Sequence, residues 1–264
     1  MEEKEIIKKI REEIGKSGHP VSLKASFILN KKKWYVKNAP RYFDYDSKKI
    51  REIDIVAEKE CPLVENSKNV LIIECKKSNK PWVFFRQNKL NENVFSLNIG
   101  TMDVTDGAIY DWASEYIFKK HYYFKRPCWS YFFVAFTDPE SKKSKQIFEA
   151  TEKVLDALMF YWEREEILYS KYKLKKKVLT FFHPVVIVDG KLFDVLVKEN
   201  ETNISETRWI SLLIEREMDE PLPVRLLHNP QYRKILLSKP YLVDIVTLDY
   251  FETFLENFEK RKRR

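Results

Sequence analysis

"IREIDIVA" at Ile50–Ala57 and "NVLIIECKKS" at Asn69–Ser78 decide the reading of this chain. Both are aliphatic runs of strand type, yet the first carries Asp54 and the second carries Glu74 and Lys76. Strand side chains alternate faces with period two, so Ile72, Glu74 and Lys76 share one face while Leu71, Ile73 and Cys75 share the other. In the first run Glu52, Asp54 and Val56 share a face. If the two strands pair through the intervening loop, Asp54 falls beside Glu74, and two carboxylates and a lysine converge. Adjacent carboxylates repel and raise each other's pKa. A hard divalent cation removes that penalty, and oxygen ligands suit Mg2+. A lysine alongside can orient or deprotonate a water and stabilise charge building on phosphorus. Such a set of groups performs metal-assisted phosphodiester hydrolysis.

Asp54, nineteen intervening residues, then Glu74-Cys75-Lys76 resembles the signature of the PD-(D/E)XK nuclease superfamily. The order of one helix followed by three strands matches that family as well. The resemblance implies an α/β, restriction-endonuclease-like fold with a mixed central sheet flanked by helices. It implies Mg2+-dependent cleavage of nucleic acid, with Mn2+ able to substitute and DNA the expected substrate. By residue, it implies Asp54 and Glu74 as metal ligands, the main-chain carbonyl of Cys75 as a further ligand, and Lys76 as the group that handles the water. The motif covers about residues 20–80. Many such enzymes also place a glutamate on the helix before the first strand. The stretch "VSLKASFILNKK" has no acid, which leaves Glu12 or Glu13 on the preceding helix, and Ile53 stands where the family has proline. The acid-any-lysine pattern itself occurs five times in the chain, but only at Glu74 does it follow an apolar run with an Asp-bearing run before it. The alternative is a nuclease-fold module without catalysis that binds nucleic acid or a protein partner.

Composition narrows the field. Hydrophobic residues make up 44% of 264, enough for a sizeable core in one domain spanning 1–264. Only five glycines occur, with neither a GxGxxG nor a Walker-type loop, which removes the usual nucleotide-binding folds. The net charge of +8 suits a polyanionic partner. The basic runs Lys171–Lys177 and 259–264, with Lys77, Lys80 and Arg86 near the motif, fit a surface that tracks a phosphate backbone. Three cysteines without metal-ligand spacing and no leader segment point to a reducing, cytoplasmic setting, and no apolar run is long enough to span a bilayer. Homo-oligomerisation stays open. Isolated histidines argue against a zinc hydrolase, and His183 within an apolar strand reads as a core histidine.

Periodicity predicts helices over Glu2–Lys16, from Pro20 to Lys33, over 145–172 and at 248–264. It predicts a three-strand meander from Trp34 to Lys77, with "IREIDIVAEKE" as a single strand and a turn at Asp46-Ser47. Later strands are expected at "CWSYFFVAF", "VLTFFHPVVIVDG", "KLFDVLVKE", "RWISLLIER" and "YLVDIVT". Asp189-Gly190 signals a hairpin. "PWVFF" reads as core more than as an aromatic wall for a base. Residues 81–130 are placed as an insertion after the catalytic strand.

Overall fold

The computed structural model describes residues 3–16, 18–62, 67–86, 99–100, 129–135, 144–172, 179–214 and 241–259. Its helices are α1 (Glu3–Lys16), α2 (His19–Lys31), α3 (Ser144–Tyr172) and α4 (Phe251–Glu259), the last entered through a 3-10 turn at Leu248–Tyr250. The strands are β1 (Tyr35–Asn38), β2 (Arg41–Asp44), β3 (Lys49–Glu52), β4 (Ile55–Glu60), β5 (Ser67–Lys77), β6 (Trp82–Arg86), β7 (Ile99–Gly100), β8 (Trp129–Ala135), β9 (Leu179–Asp189), β10 (Leu192–Lys198), β11 (Glu201–Thr207), β12 (Trp209–Ile214) and β13 (Tyr241–Thr247).

The main sheet is mixed and runs β1-β4-β5-β9-β13-β12-β8-β6-β10-β11, with β7 added to β9. At its centre β5, β9 and β13 are parallel neighbours. Strands covered on both faces must be apolar on both, and β13 is buried at every position. Alternate residues of β5 feed two separate cores. Val70 and Ile72 pack with Val154, Leu155 and Leu158 of α3. Leu71, Ile73 and Cys75 pack with Val21, Ala25 and Leu29 of α2 and Phe254 and Phe258 of α4. The result is an α/β/α arrangement in which the even-numbered face of β5 looks toward α3. No helix among the described residues is long and apolar enough to cross a membrane.

Several expectations need correction. "IREIDIVAEKE" is two strands, not one. β3 pairs with β2 in a separate two-stranded sheet, whereas β4 pairs with β1 and β5 in the main sheet. The chain changes sheets at Ile53 and Asp54. A matching break occurs at Ala39-Pro40, where Ala39 takes φ 49° and Pro40 accepts a hydrogen bond from Ile53 N–H. β2 and β3 therefore form a hairpin set into the meander of β1, β4 and β5. The apolar alternation continues through Ile53 and Ile55, so no periodicity marks the switch.

Asp189-Gly190 is also not a hairpin. A type I′ or II′ turn needs positive φ, and Gly190 does not have it. β9 and β10 instead belong to different parts of the sheet, beside β5 and β6 respectively. The β5–β6 and β9–β10 connections bend together, with Ser78 N–H donating to Asp189 O at 3.1 Å and Trp82 N–H to Lys191 O at 2.8 Å. Gly190 is required by proximity, since a Cβ there would stand 2.7 Å from Ser78 O. β11, "ETNISET", is a polar edge strand that hydrophobic patterning does not announce.

The turn after β2 lies at 45–48, as the Asp46-Ser47 chemistry suggests. Trp82 and Phe84 of β6 are core, as expected for "PWVFF". His183 is buried, shares a 3.1 Å hydrogen bond with Asn69 Oδ1 and stands edge-on to Phe258. β6 and β8 lie within the main sheet, while most of the residue 81–130 insertion, the basic run's 173–178 and the tail's 260–264 lie outside the described residues.

Candidate metal centre

Antiparallel pairing of β4 with β5 aligns Ile55 with Ile73, and one step further that register sets Asp54 opposite Glu74. Asp54 itself lies just before β4, where the ladder has ended, so its side chain replaces the missing backbone partner. Asp54 Oδ2 accepts the Cys75 N–H at 2.6 Å. A strand residue's N–H and C=O point to the same side, so the Cys75 carbonyl also looks toward the gap left at the start of β4. The beginning of α2 closes this gap from one side, where a Cβ on Gly18 would stand 3.7 Å from Cys75 O.

Glu74 is 2% exposed. It projects from the even-numbered face of β5 toward α3, and an ammonium lies within ion-pair distance of each of its oxygens, although Oε2 is not met in hydrogen-bond geometry. Lys76 Nζ lies 2.8 Å from Oε1, as two positions on one strand face allow. Lys153 Nζ, from α3, lies 2.7 Å from Oε2. Burial pushes the Glu74 carboxyl above its ordinary value, Asp54 adds to that push, and Lys153 and Lys76 oppose it. The Cys75 thiol points to the opposite face. Burial first, then Asp54 and Glu74, push it well up, so it stays protonated and is no nucleophile.

Tyr42 of β2 backs the cluster. It is 1% exposed, packs near Phe160 of α3, and its hydroxyl finds no hydrogen-bond partner among the described residues. Burial, then Asp156 and Asp44, and more weakly Glu74, raise its pKa. The phenol stays neutral, within the apolar core on the α3 side of the sheet. Gln146 Nε2 donates to Lys77 O at 3.2 Å and ties the start of α3 to the end of β5.

The sequence-derived trio Asp54, Glu74 and Lys76 is thus brought together. Glu12 and Glu13 lie exposed on α1, which packs against α2. Arg86 is committed to an ion pair with Asp194, while Lys77 and Lys80 are exposed. Lys153 and Tyr42 were not anticipated. Lys153 had a faint signal: it stands three residues after Ala150 and four before Ala157, both fully buried, so it borders the core face of α3.

The donor chemistry fits a single Mg2+. Asp54 and Glu74 are hard oxygen donors close enough to act on each other's charge, and no hydrogen bond engages Asp54 Oδ1 among the described residues. Mg2+ commonly takes one or two carboxylates and keeps several waters. No group of three or more histidine, cysteine, aspartate or glutamate side chains suited to a metal occurs among the described residues, this pair included. No family model, curated protein or solved structure matches this chain.

Proposed function

We propose that the protein is a metal-dependent nuclease of the PD-(D/E)XK type, with a restriction-endonuclease-like core, and that it hydrolyses phosphodiester bonds of nucleic acid, DNA foremost. The observation that carries this reading is the antiparallel register that aligns Asp54 with Glu74 at the carboxyl end of a parallel strand, with Lys76 on the same face as Glu74. Ligand sites in α/β sheets favour the carboxyl ends of strands.

In this reading Asp54 and Glu74 would hold Mg2+, with Cys75 O as a further oxygen donor. The ion supplies Lewis-acid stabilisation of charge on the phosphoryl oxygens and lowers the pKa of a bound water. Lys76, partly exposed at the rim, orients the attacking water and steadies developing negative charge. The Cys75 N–H fixes the Asp54 carboxylate, so the acid is positioned before substrate arrives. The net charge of +8 draws a polyanion to the surface.

One observation favours a second reading, a nuclease-fold module that binds without cleaving: each Glu74 oxygen already meets an ammonium, a charge-balanced arrangement that needs no ion. A cleavage assay separates the two. Supercoiled plasmid and end-labelled single strands are incubated with wild type and Lys76→Ala in Mg2+, Mn2+ or EDTA. Cleavage that needs the metal and disappears in the variant supports the nuclease. Binding of nucleic acid equal in both proteins, with no cleavage in either, supports the module.

A further inference from the structure

We infer that Lys153 is a positioning residue that serves as the resident counter-ion of Glu74 and competes with a divalent cation for its Oε2 atom. This deepens the proposed function and rests on Asp54 and Glu74 being the cation's ligands.

The argument begins with occupancy. Glu74 is almost wholly buried, and a buried carboxylate must be paired. Its two oxygens meet two ammonium groups at 2.8 Å and 2.7 Å. A cation that binds Glu74 therefore has to displace one of them. The two lysines are not equally free to leave. Lys76 springs from the same strand face as Glu74, and Glu74 is the single acid of β5, so Lys76 has no second carboxylate on its own strand. Lys153 reaches across from α3. Glu149 stands four residues before it and Asp156 three residues after, which are neighbouring positions on a helix surface. An ammonium leaving Glu74 from this side finds another carboxylate on its own helix. Its side chain is 26% exposed, so the movement does not require opening the core. Lys76 then stays by Glu74 for its role with the water.

The arrangement has a consequence in the absence of any cation. Lys153 offsets the repulsion between Glu74 and Asp54, which keeps two neighbouring carboxylates tolerable inside the fold. The price is weaker cation affinity, because each binding event must first break a short ion pair.

The test is isothermal titration of Mn2+ into the protein without nucleic acid, alongside melting of the metal-free protein. Lys153→Met and Lys153→Gln are expected to tighten Mn2+ binding by about tenfold, the ratio that corresponds to breaking one modest ion pair. Lys153→Arg, which keeps the charge, is expected to stay near wild type. Metal-free melting is expected to fall in Lys153→Met. A fall in melting with Mn2+ affinity unchanged or weakened in both neutral variants would reduce Lys153 to a structural lysine and overturn the inference, while Mn2+-dependent cleavage by wild type would leave the nuclease reading standing. Absence of Mn2+ binding in wild type and all variants overturns both. Lys153→Gln retains an N–H donor, so the test survives if the methionine variant fails to fold.

Discussion

Asp44 and Glu74 expose equally little surface, each 2%, but Glu74 lies deeper in the protein, and their acidities move in opposite directions. Burial alone would raise both. Around Asp44 it is overruled: Ser47 Oγ and the Ser47 and Asp46 N–H groups donate to the carboxylate at 2.6, 3.1 and 3.0 Å, and Arg51 pairs with it. These partners come from the same hairpin and are fixed by its turn. Around Glu74 burial prevails, because the neighbour that the β4–β5 register supplies is another carboxylate, and the opposing charges sit on two long lysine side chains. Asp44 is a finished structural clamp. Glu74 is a carboxylate held between two long, partly exposed lysine side chains, and the proposed function places the cation there.

The largest expected effect lies on the Glu74 side. Asp54→Asn or Lys76→Ala is expected to lower metal-dependent cleavage by about 10²–10⁴-fold, the range for removing one positioned acid–base group, whereas Asp44→Asn, compared at a temperature where it is folded, should cleave close to wild type. Plasmid nicking rates measure both. Equal loss in Asp44→Asn would erase the distinction between clamp and site.

Stability reverses the order. Asp44→Asn gives up charge-assisted hydrogen bonds and the Arg51 pair, and is expected to lower unfolding free energy by about 1.5–3 kcal/mol in urea titration. The pH dependence sharpens this. Asp44 has a folded pKa below its ordinary 3.8, so its contribution is fully present above that value and drains away as pH falls through the depressed one. Melting followed from pH 6 downward should therefore show a steeper acid limb in wild type than in Asp44→Asn. Parallel limbs would mean the carboxylate is not held by these donors.

The smallest effect concerns Tyr42, which both carboxylates influence. Its hydroxyl is buried without a partner among the described residues, so Tyr42→Phe removes a desolvated group and breaks no hydrogen bond. Stability is expected to stay level or rise by up to about 1 kcal/mol. A clear loss by calorimetry would reveal a water or ligand on that oxygen.

The contrast also explains what could be read from sequence. The convergence of Asp54, Glu74 and Lys76 was legible because strand faces alternate with period two and an antiparallel connection fixes which residues face each other. The helix over Ser144–Tyr172 was legible from its apolar stripe, but not that Lys153 reaches Glu74. That contact depends on how α3 lies across β5, a tertiary fact with no local signature. The switch between sheets at Ile53-Asp54 was hidden because Ile53 and Ile55 alternate straight across it. The hairpin suggested by Asp189-Gly190 failed because Gly190 serves a close approach to Ser78 and not a positive φ. β11 escaped because an exposed edge strand carries its pairing in the backbone.

The most direct test of the account is Mn2+-dependent melting of wild type, Asp54→Asn and Asp44→Asn measured side by side. A cation bound at a hundred times its dissociation constant stabilises the folded state by about 2.7 kcal/mol. The account predicts an upward shift in wild type and in Asp44→Asn, the latter from a lower starting point, and none in Asp54→Asn. A shift of the same size in Asp54→Asn, or no shift in any of the three, would contradict it.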